Sequence, residues 1–377
     1  MNILHVTPAY YPATYWGGPV YSTFELCNAL ASLPEVNLRV LTTDTAGPKL
    51  SDRLEVEAFP AQLPPGYEVY YCRRVLALSF SPGLLLRLWA MIRRADVVHL
   101  TAVYSAPTIP TLLLCKLLKK PVVWAPKGAL QRWQGATRPQ AKKIWEGICN
   151  LLCDRERVML HCTSEKERED SISRIDRATA FIIPNGIDLA SASMQHEQSA
   201  DGRLRLLYFG RLHPIKGIEN LLRAMTNIEP DVSLAIYGEG DPDYRRSLEA
   251  LAHSLALQER VRFFGQVEAE KKSICFNNTD VCVVPSFSEN FGMVVVESLA
   301  HGVPVIASWG TPWGGVEDVG CGLWVDNSSE SLAMAIKRIR RMPLQRMGQK
   351  GRDWIEREFS SRFVAERMMK IYWSIAA

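Results

Sequence analysis

The sequence predicts an α/β protein built as two doubly wound parallel-sheet domains. Three observations carry that prediction. The chain has 377 residues, more than the ~100–200 of a usual single domain. Short β-branched runs alternate with helical patterns in both halves, as parallel βαβ units require. Between the halves, Ile182–Asp188 (IIPNGID) combines Pro, Asn and Gly into a turn, and a polar stretch runs on to Gly202. The domain boundary is expected there, giving domains at 1–184 and 188–357 and a terminal helix of about 358–377 that crosses back to the first.

In the first half Ile3–Thr7 reads as a strand that ends in a Pro- and Gly-containing loop. Pro19 opens a helix to about Leu33, because Pro is favoured in a first helical turn. Leu38–Thr43 is a second strand. Ala95–Leu100 and Pro121–Ala125 read as buried parallel strands with Pro110–Lys119 helical between them. Val158–Thr163 and Ala180–Pro184 complete this half. The second half repeats the rhythm with strands at Leu204–Phe209, Ser233–Tyr237, Val261–Phe264, Val281–Pro285 and Pro304–Ala307. A helix runs from about Phe291–Gly292 to His301, stopped by Gly302, and the stretch from Trp354 to Ala377 is helical.

Composition narrows the class. At 47% hydrophobic and 22% charged residues the chain is neither disordered, collagen-like nor a coiled coil. Nine cysteines, none in a C-x-x-C pair, read as reduced thiols of a cytoplasmic protein rather than a disulfide framework or a zinc site. The opening MNILHVTP lacks the basic and long apolar regions of a secretory signal. Residues 1–185 carry 22 Lys and Arg against 16 Asp and Glu, which suits an anionic partner or membrane surface, or else is a mildly biased solvated face. The segment SPGLLLRLWAMIRRAD, followed by Lys116, Lys119 and Lys120, raises peripheral contact with an anionic membrane against the alternative of an ordinary helix packed on its sheet.

Ligands of doubly wound sheets bind beyond the carboxyl ends of the strands, so two such domains would face each other across a cleft lined by those loops. In VPSFSENFGMVVVESLA, Glu289 and Asn290 sit in a loop after a strand, and the early amides of Phe291, Gly292, Met293 and Val294 can bind a phosphate. If Glu289 and Glu297 both lay on the helix, they would fall about 12 Å apart near one face; otherwise Glu289 is a helix cap and Glu297 a surface charge. YFGRLHPIKG presents Arg211 and Lys216 before a helix. Cations are disfavoured there, so a bound anion would explain them; the alternative is two solvated basic residues. The loop lacks the G-K-[ST] ending of a Walker nucleotidase. In YYPATYWGGPVYS, Gly17 and Gly18 allow a close backbone approach to a ligand or simply a flexible loop.

The GGP loop, IPNGID, FGRLHPIKG, IYGEGD and SENFGMVVVE, in that order and over nearly the whole chain, resemble the retaining glycosyltransferases of family 4, which have the GT-B fold of two Rossmann-like domains. DVVHLTAVYS, WAPKGALQRW and GTPWGGVEDVGCGLWV are similar to the branch that builds bacterial surface polysaccharides and exopolysaccharides. The resemblance implies that Arg211 and Lys216 neutralise the donor's diphosphate, that Glu289 holds the donor sugar's hydroxyls, and that Glu297 binds the ribose. It places the amides of Gly292, Met293 and Val294 on the distal phosphate, with Asn290 and Phe291 in the same donor-binding stretch. Gly238 and Val267 would lie by the base, and Gly17 and Gly18 would close over the diphosphate. Many members carry His-x-His where this chain has His99 and Thr101. His99, Thr101, Tyr104 and Lys127 are the acceptor-side candidates, His99 being alternatively a packed strand residue.

The implied reaction moves a hexose, with glucose first, from a UDP-sugar to a glycan or lipid-linked saccharide. It needs no metal and no cofactor beyond the donor substrate, and no nucleic acid. Asp241-Pro242-Asp243 fits the D-x-D of metal-dependent transferases, but the family pattern makes it a polar turn. The alternatives are a catalytically inactive nucleotide-sugar or partner-binding protein of the same fold, and a nucleotide-sugar epimerase.

Overall fold

A computed structural model describes residues 1–56, 59–131, 139–192, 202–267 and 271–377. Part of the expected polar linker, residues 193–201, lies outside them, as does the end of the WAPKGALQRW motif. The chain divides into two compact units, Met1–Gly186 with Ser361–Ala377, and Ile187–Ser360.

The first unit is an eight-stranded sheet of β1 (Asn2–Val6), β2 (Asn37–Thr43), β3 (Ala61–Leu63), β4 (Tyr67–Cys72), β5 (Val97–Thr101), β6 (Val122–Ala125), β7 (Val158–Cys162) and β8 (Thr179–Ile182). Its order is β3-β4-β2-β1-β5-β6-β7-β8. All its strands are parallel except β3, which runs antiparallel to β4. Its helices are α1 (Gly18–Ala31), α2 (Pro82–Arg94), α3 (Thr108–Leu117), α4 (Pro139–Leu152) and α5 (Glu165–Ile172). Alternation along the strands divides the core in two. Leu4, Val98, Leu100, Val122, Trp124 and Leu160 face α2, α3 and α4. Ile3, Val40, Val69, Val97 and Val123 face α1 on the other side.

The second unit is an all-parallel sheet of β9 (Leu204–Phe209), β10 (Val232–Tyr237), β11 (Val261–Phe264), β12 (Val281–Val284), β13 (Val305–Ser308) and β14 (Gly322–Val325), ordered β11-β10-β9-β12-β13-β14. Around it lie α6 (Ile218–Met225), α7 (Pro242–Ser254), α8 (Lys272–Asn277), α9 (Met293–Ala300), α10 (Gly315–Val319), α11 (Ser329–Ile339) and α12 (Leu344–Phe359). The chain order of the strands reverses between β9 and β12, so the loops after those two strands flank the topological switch point, where open α/β sheets hold ligands.

The last helix, α13 (Ser361–Ala376), returns to the first unit and lays Val364, Ala365, Met368 and Tyr372 on the α1 face of its sheet. The expected single terminal helix is thus two helices. Ser360, with φ −61° and ψ 140°, breaks the run. Trp354 stays in the second unit, where its ring meets Trp313 at 5.7 Å. The strands β3, β4 and β14 are additions to the sequence reading. Among the described residues no helix is long and apolar enough to cross a membrane.

Candidate functional site

The site is built where the loops after β9 and β12 meet. After β9 the chain makes a short 3-10 turn, Pro214–Lys216, started by His213, whose Nδ1 accepts from the Ile215 amide at 3.2 Å. Gly217 follows with φ 64°, and a Cβ there would collide with the Pro285 carbonyl. Only glycine lets the two loops approach this closely. The Phe287 amide donates to the Ile215 carbonyl at 2.8 Å, fastening them together.

That contact delivers Lys216 to Glu289. The ammonium donates to Glu289 Oε1, and the Ser286 hydroxyl donates to the same oxygen at 3.0 Å. The two charged side chains are only 19% and 14% exposed, so this is a partly desolvated pair rather than a surface bridge. The Glu289 amide donates to the Gly310 carbonyl at 2.9 Å, which fixes the loop from the β13 side. Arg211 is exposed and makes no ion pair or side-chain hydrogen bond among the described residues. Burial, then the charges of Arg211 and Lys216, lower the His213 pKa.

Glu289 is neither on the helix nor a cap. Helix α9 begins at Met293, and its N-cap is Gly292 in the left-handed region with no side-chain cap. The expectation of two glutamates on one helical face therefore does not hold. Glu297 lies within α9 and pairs instead with Lys272 of α8, Nζ to Oε1 2.8 Å. The Lys272 ammonium also sits 5.1 Å from the Phe209 ring centre. The Phe291 ring is buried against Trp313, whose indole N–H donates to the Phe291 carbonyl. What this stretch offers a ligand is backbone: the amides of Gly292, Met293 and Val294 open the helix, where intrahelical acceptors are missing. Gly302 ends α9 with φ 73°, its amide on Leu299 and that of Val303 on Ser298.

On the β10 side the Gly238 amide donates to the Gly265 carbonyl at 3.1 Å, and Tyr237 stacks on Phe264 at 4.5 Å. Gly238 and the turn leading to the half-buried Val267 are thus neighbours. Asp241 is a helix cap, its carboxylate accepting from the amides of Asp243 and Tyr244, while Asp243 pairs with Arg246. The D-x-D spacing is turn chemistry.

In the first unit, Gly17 caps α1 with φ 65°, and Gly18 opens that helix. His99 is fully buried, Nδ1 on the Tyr372 hydroxyl of α13 at 2.6 Å, and its ring stacks on His5 at 4.5 Å. Thr101 is likewise inside, its hydroxyl on His5 Nε2 at 2.8 Å. These two acceptor-side candidates do not present their side chains to solvent. Tyr104 donates to Glu146, and Lys142 lies over its ring. Lys127 donates to Ser22 at 3.1 Å and to Asn185 at 2.9 Å, and burial lowers its pKa to about 8. It ties the start of α1 to the IPNG turn.

Sequence reasoning missed Lys272, Ser286 and Gly310. Lys272 sits in an undistinguished basic pair, Ser286 precedes the motif, and only topology sets Gly310 against Glu289.

Two parallel doubly wound units of this kind define the GT-B fold. Solved structures agree over the full length. Sucrose-phosphate synthase from Thermosynechococcus elongatus superposes with a TM-score of 0.75 at 22% identity, covering 100% of this chain and 99% of that one. Anabaena Alr3699/HepE in complex with UDP-glucose gives 0.72 at 17% identity, over 99% and 100% of the two chains. At the level of sequence, residues 16–191 match the model of Glycosyltransferase Family 4, and residues 191–354 match that of Glycosyl transferases group 1. Together the two models cover residues 16–354, so both units resemble the domains of group 1/family 4 glycosyltransferases. The phosphatidyl-myo-inositol mannosyltransferase of Mycobacterium leprae is 30% identical over 255 residues, 63% of this chain and 62% of that protein. The D-inositol 3-phosphate glycosyltransferase of Xylanimonas cellulosilytica is 30% identical over 163 residues, 38% and 39% of the two. These matches span less than two thirds of the relatives' own length.

Proposed function

We propose that the protein is a retaining hexosyltransferase that moves glucose from UDP-glucose to a glycan or lipid-linked saccharide in the synthesis of a bacterial polysaccharide. The observation that carries the reading is the Lys216–Glu289 pair at the switch point of the second sheet, beside free helix amides and the exposed Arg211. The complex of Alr3699/HepE with UDP-glucose supports the choice of donor.

In this reading the ion pair is the resting state of the donor site. An arriving diphosphate takes Lys216 and Arg211 as its counter-charges, with the amides of Gly292, Met293 and Val294 on the distal phosphate. Glu289, relieved of its cation, accepts hydrogen bonds from the sugar hydroxyls. The bond from the anomeric carbon to the diphosphate breaks, and the acceptor oxygen bonds to that carbon from the same face. The acceptor proton passes to a leaving phosphate oxygen. Fixed cations and amides stabilise the charge that develops on the diphosphate, so the step requires no metal. Glu297, held by Lys272, binds the ribose, and Gly238 and Val267 flank the base. Nine cysteines, of which eight are buried, support a reducing, cytoplasmic setting, with a lipid-linked acceptor met at the membrane face.

A thermal-shift and slow-hydrolysis screen of nucleotide-sugars in EDTA tests the reading. UDP-glucose should raise the melting temperature, as a ligand of the folded state does, and should be slowly hydrolysed. Glu289→Ala should lose hydrolysis and keep UDP binding. If no nucleotide or nucleotide-sugar shifts the wild type, the protein is a binding module that has kept the fold.

A further inference from the structure

The turn that presents Lys216 is set by the residue before it. Leu212 is buried, and its amide donates to the Glu239 carbonyl at 2.8 Å. The backbone stays extended at His213, with φ −155° and ψ 143°. Side chains alternate along extended backbone, so Arg211 and His213 leave the loop on the side opposite Leu212. The chain then turns into Pro214–Lys216, with the Lys216 amide on the His213 carbonyl at 2.8 Å. Pro214 brings no amide, so the first donor of the turn is Ile215, and His213 Nδ1 accepts from it at 3.2 Å. Residues that accept in this way just before a helical turn are ordinarily Ser, Thr, Asp or Asn. An imidazole fills the place under a condition that the others lack.

A backbone amide can only donate, so Nδ1 must be the bare nitrogen and the ring proton must sit on Nε2. A second proton would turn Nδ1 into a donor facing a donor, and the bond would be lost. Histidine takes up that proton near neutral pH, where the other capping side chains do not change. The surroundings favour the neutral ring: burial, then the charges of Arg211 and Lys216, hold its pKa below the usual histidine value. The remaining ionisable groups of the elements packed here are engaged elsewhere. Glu289 of the β12 loop accepts from Lys216 and Ser286, and Tyr208 of β9 donates its hydroxyl to the Arg211 carbonyl at 3.0 Å. Glu219 of α6 acts on Tyr244, and Glu239, beyond β10, reaches this stretch through its backbone carbonyl.

We propose that His213 is the positioning residue for Lys216: its bare Nδ1 holds the Ile215 amide and so fixes the turn that aims the ammonium, and the site takes a nucleotide-sugar while this imidazole is neutral and loses it when a second proton arrives. The proposal rests on the reading of Lys216 as a counter-charge of the donor diphosphate. To that reading it adds what holds the lysine in place. It also adds a proton that competes with the donor while binding neither phosphate nor sugar. The turn is only three residues long and Lys216 is its last, so loss of the bond at its start is felt directly at the ammonium.

Calorimetric titration of the full chain with UDP-glucose in EDTA, at pH 7.5 and pH 5 and constant ionic strength, tests it. Both phosphates of this probe are diesters, so its own charge is the same at the two pH values. The wild type should bind about 3–10-fold more weakly at pH 5. His213→Asn, whose side-chain oxygen can accept the same amide, should match the wild type at pH 7.5 and bind equally at both pH values. His213→Ala should bind about fivefold more weakly than the wild type at pH 7.5 and be equally insensitive to pH. His213 is half-buried, and an unchanged far-UV circular dichroism spectrum of each free variant confirms intact folding. Wild-type binding that is flat in pH overturns the inference and leaves the transferase reading standing, because the donor is still bound. A His213→Asn protein that keeps the wild-type pH slope overturns it too, as does a His213→Ala protein that binds like the wild type. Tighter binding at pH 5 makes His213 a third cation on the diphosphate and overturns it equally. Absence of binding at both pH values overturns the inference together with the choice of donor.

Discussion

At Glu289 an ammonium and a hydroxyl converge on the same carboxylate oxygen, and this small cluster carries two consequences. The first is energetic. Lys216→Ala leaves a largely buried carboxylate with only Ser286, at a cost of about 1–3 kcal/mol, whereas removing both charges together costs less than the sum. Urea unfolding of both single variants and the double variant should therefore give a coupling of about 0.5–3 kcal/mol. A coupling near zero would mean the pair is not formed in solution. The second is chemical. Glu289→Gln keeps the shape but weakens the hydrogen bonds to sugar hydroxyls, so donor turnover should fall by about 10²–10³ while UDP still binds. The first unit gives a prediction of another kind. His5 and His161 are fully buried, and burial first, then the charge of Lys127, lowers both pKa values to about 3; His99 between them is lowered well below the usual value, by burial and then by His5, His161 and Lys127. Between pH 6.5 and about 3 the unfolded chain binds protons that the folded one refuses. Stability is therefore full above pH 6.5 and lost as the pH falls, by about 1.4 kcal/mol per pH unit for each histidine fully in that window. Urea midpoints at pH 7, 6 and 5 should decline, and a flat series would show the histidines protonated in the fold.

Among the elements, the loops after β9 and β12 decide whether the site exists. Gly217 is their contact point, held at φ 64° against the Pro285 carbonyl. Gly217→Ala should cost about 2 kcal/mol or more and weaken UDP binding, because the Cβ pushes Lys216 away from Glu289; thermal melts with and without UDP measure both effects. This is also where the sequence stops being legible. Leu204–Phe209 and Val261–Phe264 are strands at the bounds their β-branched and aromatic runs indicate. Tyr67–Cys72 escaped because its alternation is short and follows a Pro-Pro-Gly turn, and Gly322–Val325 because it opens on glycine and has four residues. Glu289, Lys216 and Arg211 were visible as residue types in loops after strands. That Lys216 touches Glu289, 73 positions away, follows from β9 lying beside β12, and strand order is not written in any local pattern. Helix α9 shows the opposite limit. Its glycine stop was readable, and its start falls within a residue or two of the expected Phe291–Gly292, although Gly292 caps it without a side chain that announces a cap.

For the whole molecule the discontinuity of the first unit matters most. Its sheet comes from the first 186 residues, yet one face is covered by α13 from the other end of the chain. Cutting the chain before Ser361 removes Val364, Ala365, Met368 and Tyr372 from that core and leaves His99 without the Tyr372 hydroxyl. Calorimetry of the truncated chain should show the first unit melting at lower temperature or not cooperatively at all, with the transition of the second unit nearly unmoved. Equal destabilisation of both units would contradict the division.

During synthesis the same discontinuity sets an order of events. When Gly186 leaves the ribosome, the first sheet has all its strands, and one face carries α1 but not yet α13. The 174 residues of Ile187–Ser360 must be made before the covering helix arrives, an interval of about 10–35 s at 5–20 residues per second. The second unit, continuous in the chain, can fold within that interval. The unit that begins first is thus completed last, and for those seconds the newborn chain leaves exposed the apolar ground beside α1 that α13 later covers.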